Sequence, residues 1–94
     1  MIDKIIKYND IEMYVDIVTP DDGPMFAIVY FNKELNEKEA KDLILGFEYD
    51  IKKAALDYVE DKDEDTKKKI IDSTFTIIKD TNKIYYVEFD ELEH

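Results

Sequence analysis

Ile11-Glu12-Met13-Tyr14-Val15-Asp16-Ile17-Val18 decides the fold: Ile11, Met13, Val15 and Ile17 alternate with Glu12, Tyr14, Asp16 and Val18. A period of two places the first set on one side of a β-strand and the second on the other, so this segment needs a sheet with a buried and an open face. On its N-terminal side, residues 2–8 form a shorter strand, joined through Asn9-Asp10, a pair that tolerates the positive φ of a tight hairpin turn. On its C-terminal side, Thr19-Pro20-Asp21-Asp22-Gly23-Pro24 is a turn: Pro fixes φ, Gly permits φ > 0 and Asp bonds its own backbone. Residues 25–31 are apolar at successive positions, which predicts a central strand covered on both sides.

Further out, the period changes. Ala40, Leu43, Ile44, Phe47, Ile51, Ala54, Ala55 and Tyr58 recur at helical spacing, and Asn36 with Glu39 three residues later has the form of a capping box. One long helix is therefore expected over residues 36–60, its apolar stripe on the sheet. Leu45, Tyr49 and Leu56 lie too far round that helix to share the core. Gly46 weakens it by about 1 kcal/mol relative to Ala and marks either close packing or nothing. A charged connection follows at residues 61–65, then a short helix over residues 66–72. A β-hairpin then spans residues 74–79 and 83–90, its turn Asp80-Thr81-Asn82 with Asn82 at the left-handed position.

The expected architecture is a two-layer α+β domain: an antiparallel sheet of four to five strands with one long helix across one face, in the order ββ(β)-α-ββ. Residues 1–91 make a single acidic domain. Leu92-Glu93-His94 reads as an expression-tag remnant, since it follows a finished strand pattern and ends on the sole histidine. A chain of 94 residues buries roughly 60 to 70% of its unfolded surface, enough for one modest core. The absence of cysteine means no disulfide and no thiolate metal site. The longest apolar run is far short of the ~20 residues of a membrane span, and the expected setting is cytoplasmic.

Charge limits the function more than any motif does. Asp and Glu number 24 against thirteen lysines and no arginine, a formal charge of −11. The bias survives removal of Glu93. Such a potential repels nucleic acid and membranes and draws in a basic protein surface. The lysine pairs and triplets at residues 52–53 and 67–69 are set among acids, and no arginine is present for bidentate contacts, so direct DNA or RNA binding is not expected.

Catalytic chemistry finds little to work with. The only serine is Ser73 and the only histidine is His94, which excludes a triad. The two glycines, Gly23 and Gly46, sit in a Pro-flanked turn and inside a helix, so no phosphate cradle is assembled. Carboxylate pairs are too abundant to single out a glycosidase pair. No enzyme activity and no cofactor are expected. Residues 61–72 place acids at positions 1, 3, 5 and 12 of an EF-hand-like loop, but Thr66 stands where the turn requires Gly and Lys68 where an apolar residue belongs. A solvated connection is the favoured reading there, and no metal is expected.

The remaining signal is surface pattern. Tyr85, Val87 and Phe89 alternate with Ile84, Tyr86, Glu88 and Asp90. If the first set faces the helix, Tyr14, Val18, Ile78, Ile84 and Tyr86 share the opposite face with Glu12, Asp16, Thr74, Thr76 and acids of the last strand. That face is more apolar than solvent contact needs, although β-propensity alone also favours Tyr and Ile there. Tyrosine is enriched in interfaces.

The expectation is a small acidic inhibitor or regulator that occupies a basic, nucleic-acid-binding surface of a partner protein. It is a DNA mimic of the phage anti-CRISPR kind or a nuclease-immunity kind by charge and size alone. The alternative is a self-associating structural module, in which the acid excess serves solubility. A monomer is favoured, because acids interleaved with the tyrosines would repel across a twofold axis. The candidate partner-binding residues are Glu12, Tyr14, Asp16, Asp42, Tyr49, Asp57, Glu60, Asp61, Asp63, Glu64, Asp65, Tyr86, Glu88 and Asp90.

Overall fold

The computed structural model of the chain describes residues 1–59 and 64–90. Glu60, Asp61 and Asp63, and the residues read as a tag remnant, lie outside the described residues. Among the described residues the chain is α+β, with five strands, β1 (Lys4–Tyr8), β2 (Ile11–Val18), β3 (Phe26–Phe31), β4 (Thr74–Lys79) and β5 (Ile84–Asp90). Three helices, α1 (Glu37–Gly46), α2 (Glu48–Val59) and α3 (Glu64–Asp72), connect β3 to β4. The strands form one open antiparallel sheet in the spatial order β1-β2-β3-β5-β4. Because β5 separates β3 from β4, those two strands run parallel, and a crossover of helices must carry the chain between them.

The β1–β2 hairpin turns at Asn9, whose φ of 56° is the left-handed conformation that Asn tolerates. Gly23 takes φ 111° in the turn before β3, as its lack of a side chain permits. The turn between β4 and β5 differs from expectation. Asn82 does not have positive φ; instead the Thr81 hydroxyl accepts from the N–H groups of Lys83 at 3.1 Å and Ile84 at 3.0 Å. A side-chain oxygen organises this turn in place of a left-handed residue.

The expected single long helix is broken in two, and the short helix expected over residues 66–72 begins earlier, at Glu64, so the order is β-β-β-α-α-α-β-β. Asn36 caps α1 as its sequence position implied, its Oδ1 accepting from the Glu39 N–H at 2.8 Å. At Phe47 the backbone leaves helical geometry (φ −107°, ψ 26°), although its N–H still reaches the Leu43 carbonyl at 3.0 Å and its carbonyl receives Ile51 N–H at 3.0 Å. The hydrogen-bond ladder bends without being abandoned. The bend sets the Phe47 ring edge-on to Tyr8 of β1, with centroids 6.0 Å apart. Close packing does not explain Gly46, since a Cβ built there meets nothing within 4 Å. It stands beside the kink at Phe47 with open space around it and no positive φ.

One core lies between sheet and helices. Met13, Val15, Val29, Tyr85 and Val87 from the sheet are fully buried against Ala40, Ile44, Ile51 and Ala55. Two positions on the helices depart from the single-helix reading. Leu56 packs partly buried against the core, while Tyr58, assigned to the stripe, is about half exposed. Beside this, α3 packs on α2 and buries Ile70.

Lys52 ties this corner together. Its side chain, only 13% exposed, donates to the Ile71 carbonyl at 3.0 Å and the Ser73 carbonyl at 2.7 Å, and pairs with Glu48 at 3.0 Å. A cation at the C-terminal end of α3 satisfies carbonyls that the helix leaves open. Ser73, the sole serine, is buried, and its hydroxyl donates to the Ile70 carbonyl at 2.7 Å. Among the described residues, no helix is long and apolar enough to cross a membrane.

Candidate functional site

Every helix packs into the core on one side of the sheet, so alternate strand residues project from the other side with no described element over them. Strand register arranges these residues in rows. Ile5, Tyr14, Tyr30 and Ile84 are successive cross-strand partners from β1 to β5. The adjacent row runs Asp16, Ile28, Tyr86 and Ile78 from β2 to β4, and the next runs Val18, Phe26, Glu88 and Thr76. Cross-strand neighbours of this kind lie within side-chain contact. Phe26 and Tyr86, diagonal to each other, meet edge-on at 6.1 Å.

β3 is central, as its sequence indicated, but it is covered on one face only. Phe26, Ile28 and Tyr30 are half-buried, whereas Ala27, Val29 and Phe31 are buried. The all-apolar pattern of β3 therefore supplies the middle of an open aromatic and aliphatic surface. Phe26, Ile28 and Tyr30, with Ile5 on β1, are open-face residues beyond the sequence-derived candidates. One signal pointed to them: one apolar helical stripe covers one side of a sheet.

Acids border this surface, and hydroxyl groups hold several of them. Tyr14 donates its hydroxyl to Glu12 at 2.5 Å, a bond that pushes the Tyr14 pKa up because it favours the protonated phenol beside a carboxylate. Thr76 donates to Asp90, and the Tyr86 hydroxyl stands 3.5 Å from Asp80. Asp16 lies 3.6 Å from the amino group of Met1. Lys7, beside Glu12 in the register, is the one lysine at the open-face strand positions among the described residues.

The helical layer treats its acids differently. Asp42 pairs with Lys38 at 2.9 Å, Glu37 with Lys41 at 2.8 Å, Glu48 with Lys52 at 3.0 Å, and Glu64 with Lys67 at 3.9 Å. The Lys38 bond raises its own pKa, and the Lys41 bond lowers that of Glu37, each charge favouring the other. Most of these are ladder pairs of adjacent helical turns.

The structure thus divides the candidate residues between two sides. Glu12, Tyr14, Asp16, Tyr86, Glu88 and Asp90 share the open sheet face; Asp42, Asp57, Glu64, Asp65 and the 76%-exposed Tyr49 lie on the helices. They do not form one patch. The EF-hand-like spacing does not become a loop, because Glu64–Asp72 is helical and Asp65 and Asp72 stand about 10 Å apart along its axis. Among the described residues no cluster of three or more His, Cys, Asp or Glu is placed to hold a metal ion.

No protein-family model matches this chain, and neither curated proteins nor solved structures show a significant similarity to it.

Proposed function

We propose that this protein is a binding module that docks a basic partner protein through the open face of its sheet. The carrying observation is the composition of that face: Tyr14, Tyr30, Tyr86, Phe26 and Ile28 at its centre, with Glu12, Asp16, Glu88 and Asp90 around them. An apolar, aromatic centre supplies contact area at low entropic cost, and a border of one charge sign steers a partner of the other sign. Four acids of the helices, Glu37, Asp42, Glu48 and Glu64, already have lysine partners, which favours the sheet side. The action is occupancy rather than catalysis. With the excess of acid over base, this reading favours an inhibitor or regulator that covers a nucleic-acid-binding surface, in the manner of a DNA mimic, and acts in the cytoplasm.

Affinity capture with the wild-type chain and with Tyr14→Ala/Tyr86→Ala in parallel tests the proposal. The expected result is a basic protein retained by the wild type and lost from the variant. It should also be released at about 1 M salt, where the screening length is about 3 Å. A partner of acidic surface, or one held equally by both chains at high salt, contradicts it.

A further inference from the structure

The two edges of the sheet are unlike. β1 carries Lys4 and Lys7 within five residues, and lysines on an edge strand discourage pairing with another chain. β4 reads Thr-Phe-Thr-Ile-Ile-Lys, with no proline and its single charge at the last position. The hairpin fixes which of its backbone groups are occupied. Asp80 N–H reaches the Ile84 carbonyl at 2.9 Å, and antiparallel alternation then turns the N–H and C=O groups of Thr74, Thr76 and Ile78 toward β5. Those of Phe75, Ile77 and Lys79 point outward, and no described backbone group pairs with them.

The side chains along this edge set the chemistry of what would fit. Phe75 and Ile77 are only partly buried at the margin of the core, so a strand laid beside them would place apolar residues on that side. Its alternate residues would lie on the open face next to Thr74 and Thr76, whose cross-strand partners are Asp90 and Glu88. Asp72 and Asp80, both exposed, flank the two ends of β4. A second copy of this chain is disfavoured, because twofold pairing of β4 would bring both sets of these acids together.

We propose that the β4 edge receives an extended segment of the partner protein as a sixth strand, in which basic residues alternate with apolar ones. Main-chain hydrogen bonds to Phe75, Ile77 and Lys79 would hold the segment, and pairing of its basic residues with Glu88 and Asp90 would select it. The inference rests on the proposed docking of a basic partner and specifies how part of that partner engages.

An alternating lysine–valine octapeptide serves as the probe, with a glutamate–valine octapeptide of the same length as control. Amide exchange is followed residue by residue in the intact chain. The lysine peptide is expected to slow exchange at Phe75, Ile77 and Lys79 by about tenfold or more, and the glutamate peptide to leave it unchanged. Protection at β1, or equal protection by both peptides, overturns the edge assignment. Shifts confined to the open-face tyrosines, without protection at the edge, overturn it while leaving docking on the face intact. If neither peptide perturbs any residue, the edge assignment falls, and docking on the face is decided by the affinity capture. Protection that rises with protein concentration alone would make a second copy the occupant and also overturn the proposal.

Discussion

The two faces of the sheet are built from the same strands yet have opposite fates. On one face Met13, Val15, Val29, Tyr85 and Val87 are fully buried under helices; on the other Tyr14, Asp16, Ile28, Tyr30 and Tyr86 keep part of their surface in water. Burial alone does not separate them chemically, since both faces hold tyrosine and isoleucine or valine. Acids do. The inner face excludes carboxylates, whereas the open face places them around its aromatic centre, where the hydroxyls of Tyr14 and Thr76 donate to Glu12 and Asp90. A face made only to be wet would not need its aromatic centre, and a face made only to be buried would not tolerate its acids.

The largest effects should separate core from face. Ile44→Ala or Ile51→Ala removes a fully buried side chain and should cost about 2–5 kcal/mol in urea unfolding. Tyr86→Asp on the open face should cost about 1 kcal/mol or less and leave the chain monomeric by light scattering. A dimer that Tyr86→Asp splits would instead make the face a self-association surface. Next in size is Lys52→Met, which keeps most of the stem but leaves the Ile71 and Ser73 carbonyls without their donor; about 1–2 kcal/mol should be lost.

Smaller changes should run the other way. The Tyr85 hydroxyl is buried with no hydrogen-bond partner among the described residues, so Tyr85→Phe should raise stability by up to about 1 kcal/mol. Burial also pushes the Tyr85 pKa up, with Glu37 adding to the shift and Lys41 opposing it. The folded state therefore binds this proton more tightly than the unfolded one. Its contribution is intact below the ordinary tyrosine pKa of about 10 and is lost as pH rises above it. Alkaline denaturation should accordingly come at higher pH in Tyr85→Phe. Gly46→Ala should stabilise by up to about 1 kcal/mol in thermal melts, because the space is open and no positive φ is required there. Destabilisation would mean that the kink depends on glycine.

Much of this comparison was legible from alternation. The faces of β2 and β5, the Asn9 turn and the Asn36 cap depend on local patterns that the sequence states directly. Tertiary features were not legible in the same way. The kink at Phe47 places its ring against Tyr8, nearly forty residues away, and α3 packs on α2 to bury Ile70. Asn82 and Thr81 are both good turn residues, and only the folded hairpin shows that the hydroxyl organises the turn. For the site, alternation assigned residues to the correct face but not to neighbouring strands. Tyr30 and Ile28 became central only when β3 was seen between β2 and β5 with helices on one side.

The central claim is that the sheet face, not the helical face, meets a basic partner. It is tested most directly by association kinetics with the captured partner, using two triple variants of identical net charge. Glu12→Lys, Asp16→Lys and Glu88→Lys together reverse the sheet face; Asp42→Lys, Asp57→Lys and Glu64→Lys together reverse the helical one. The sheet triple should lower the association rate by about tenfold or more, and the helical triple by no more than about threefold. Equal losses in the two, or a larger loss from the helical triple, would contradict the assignment.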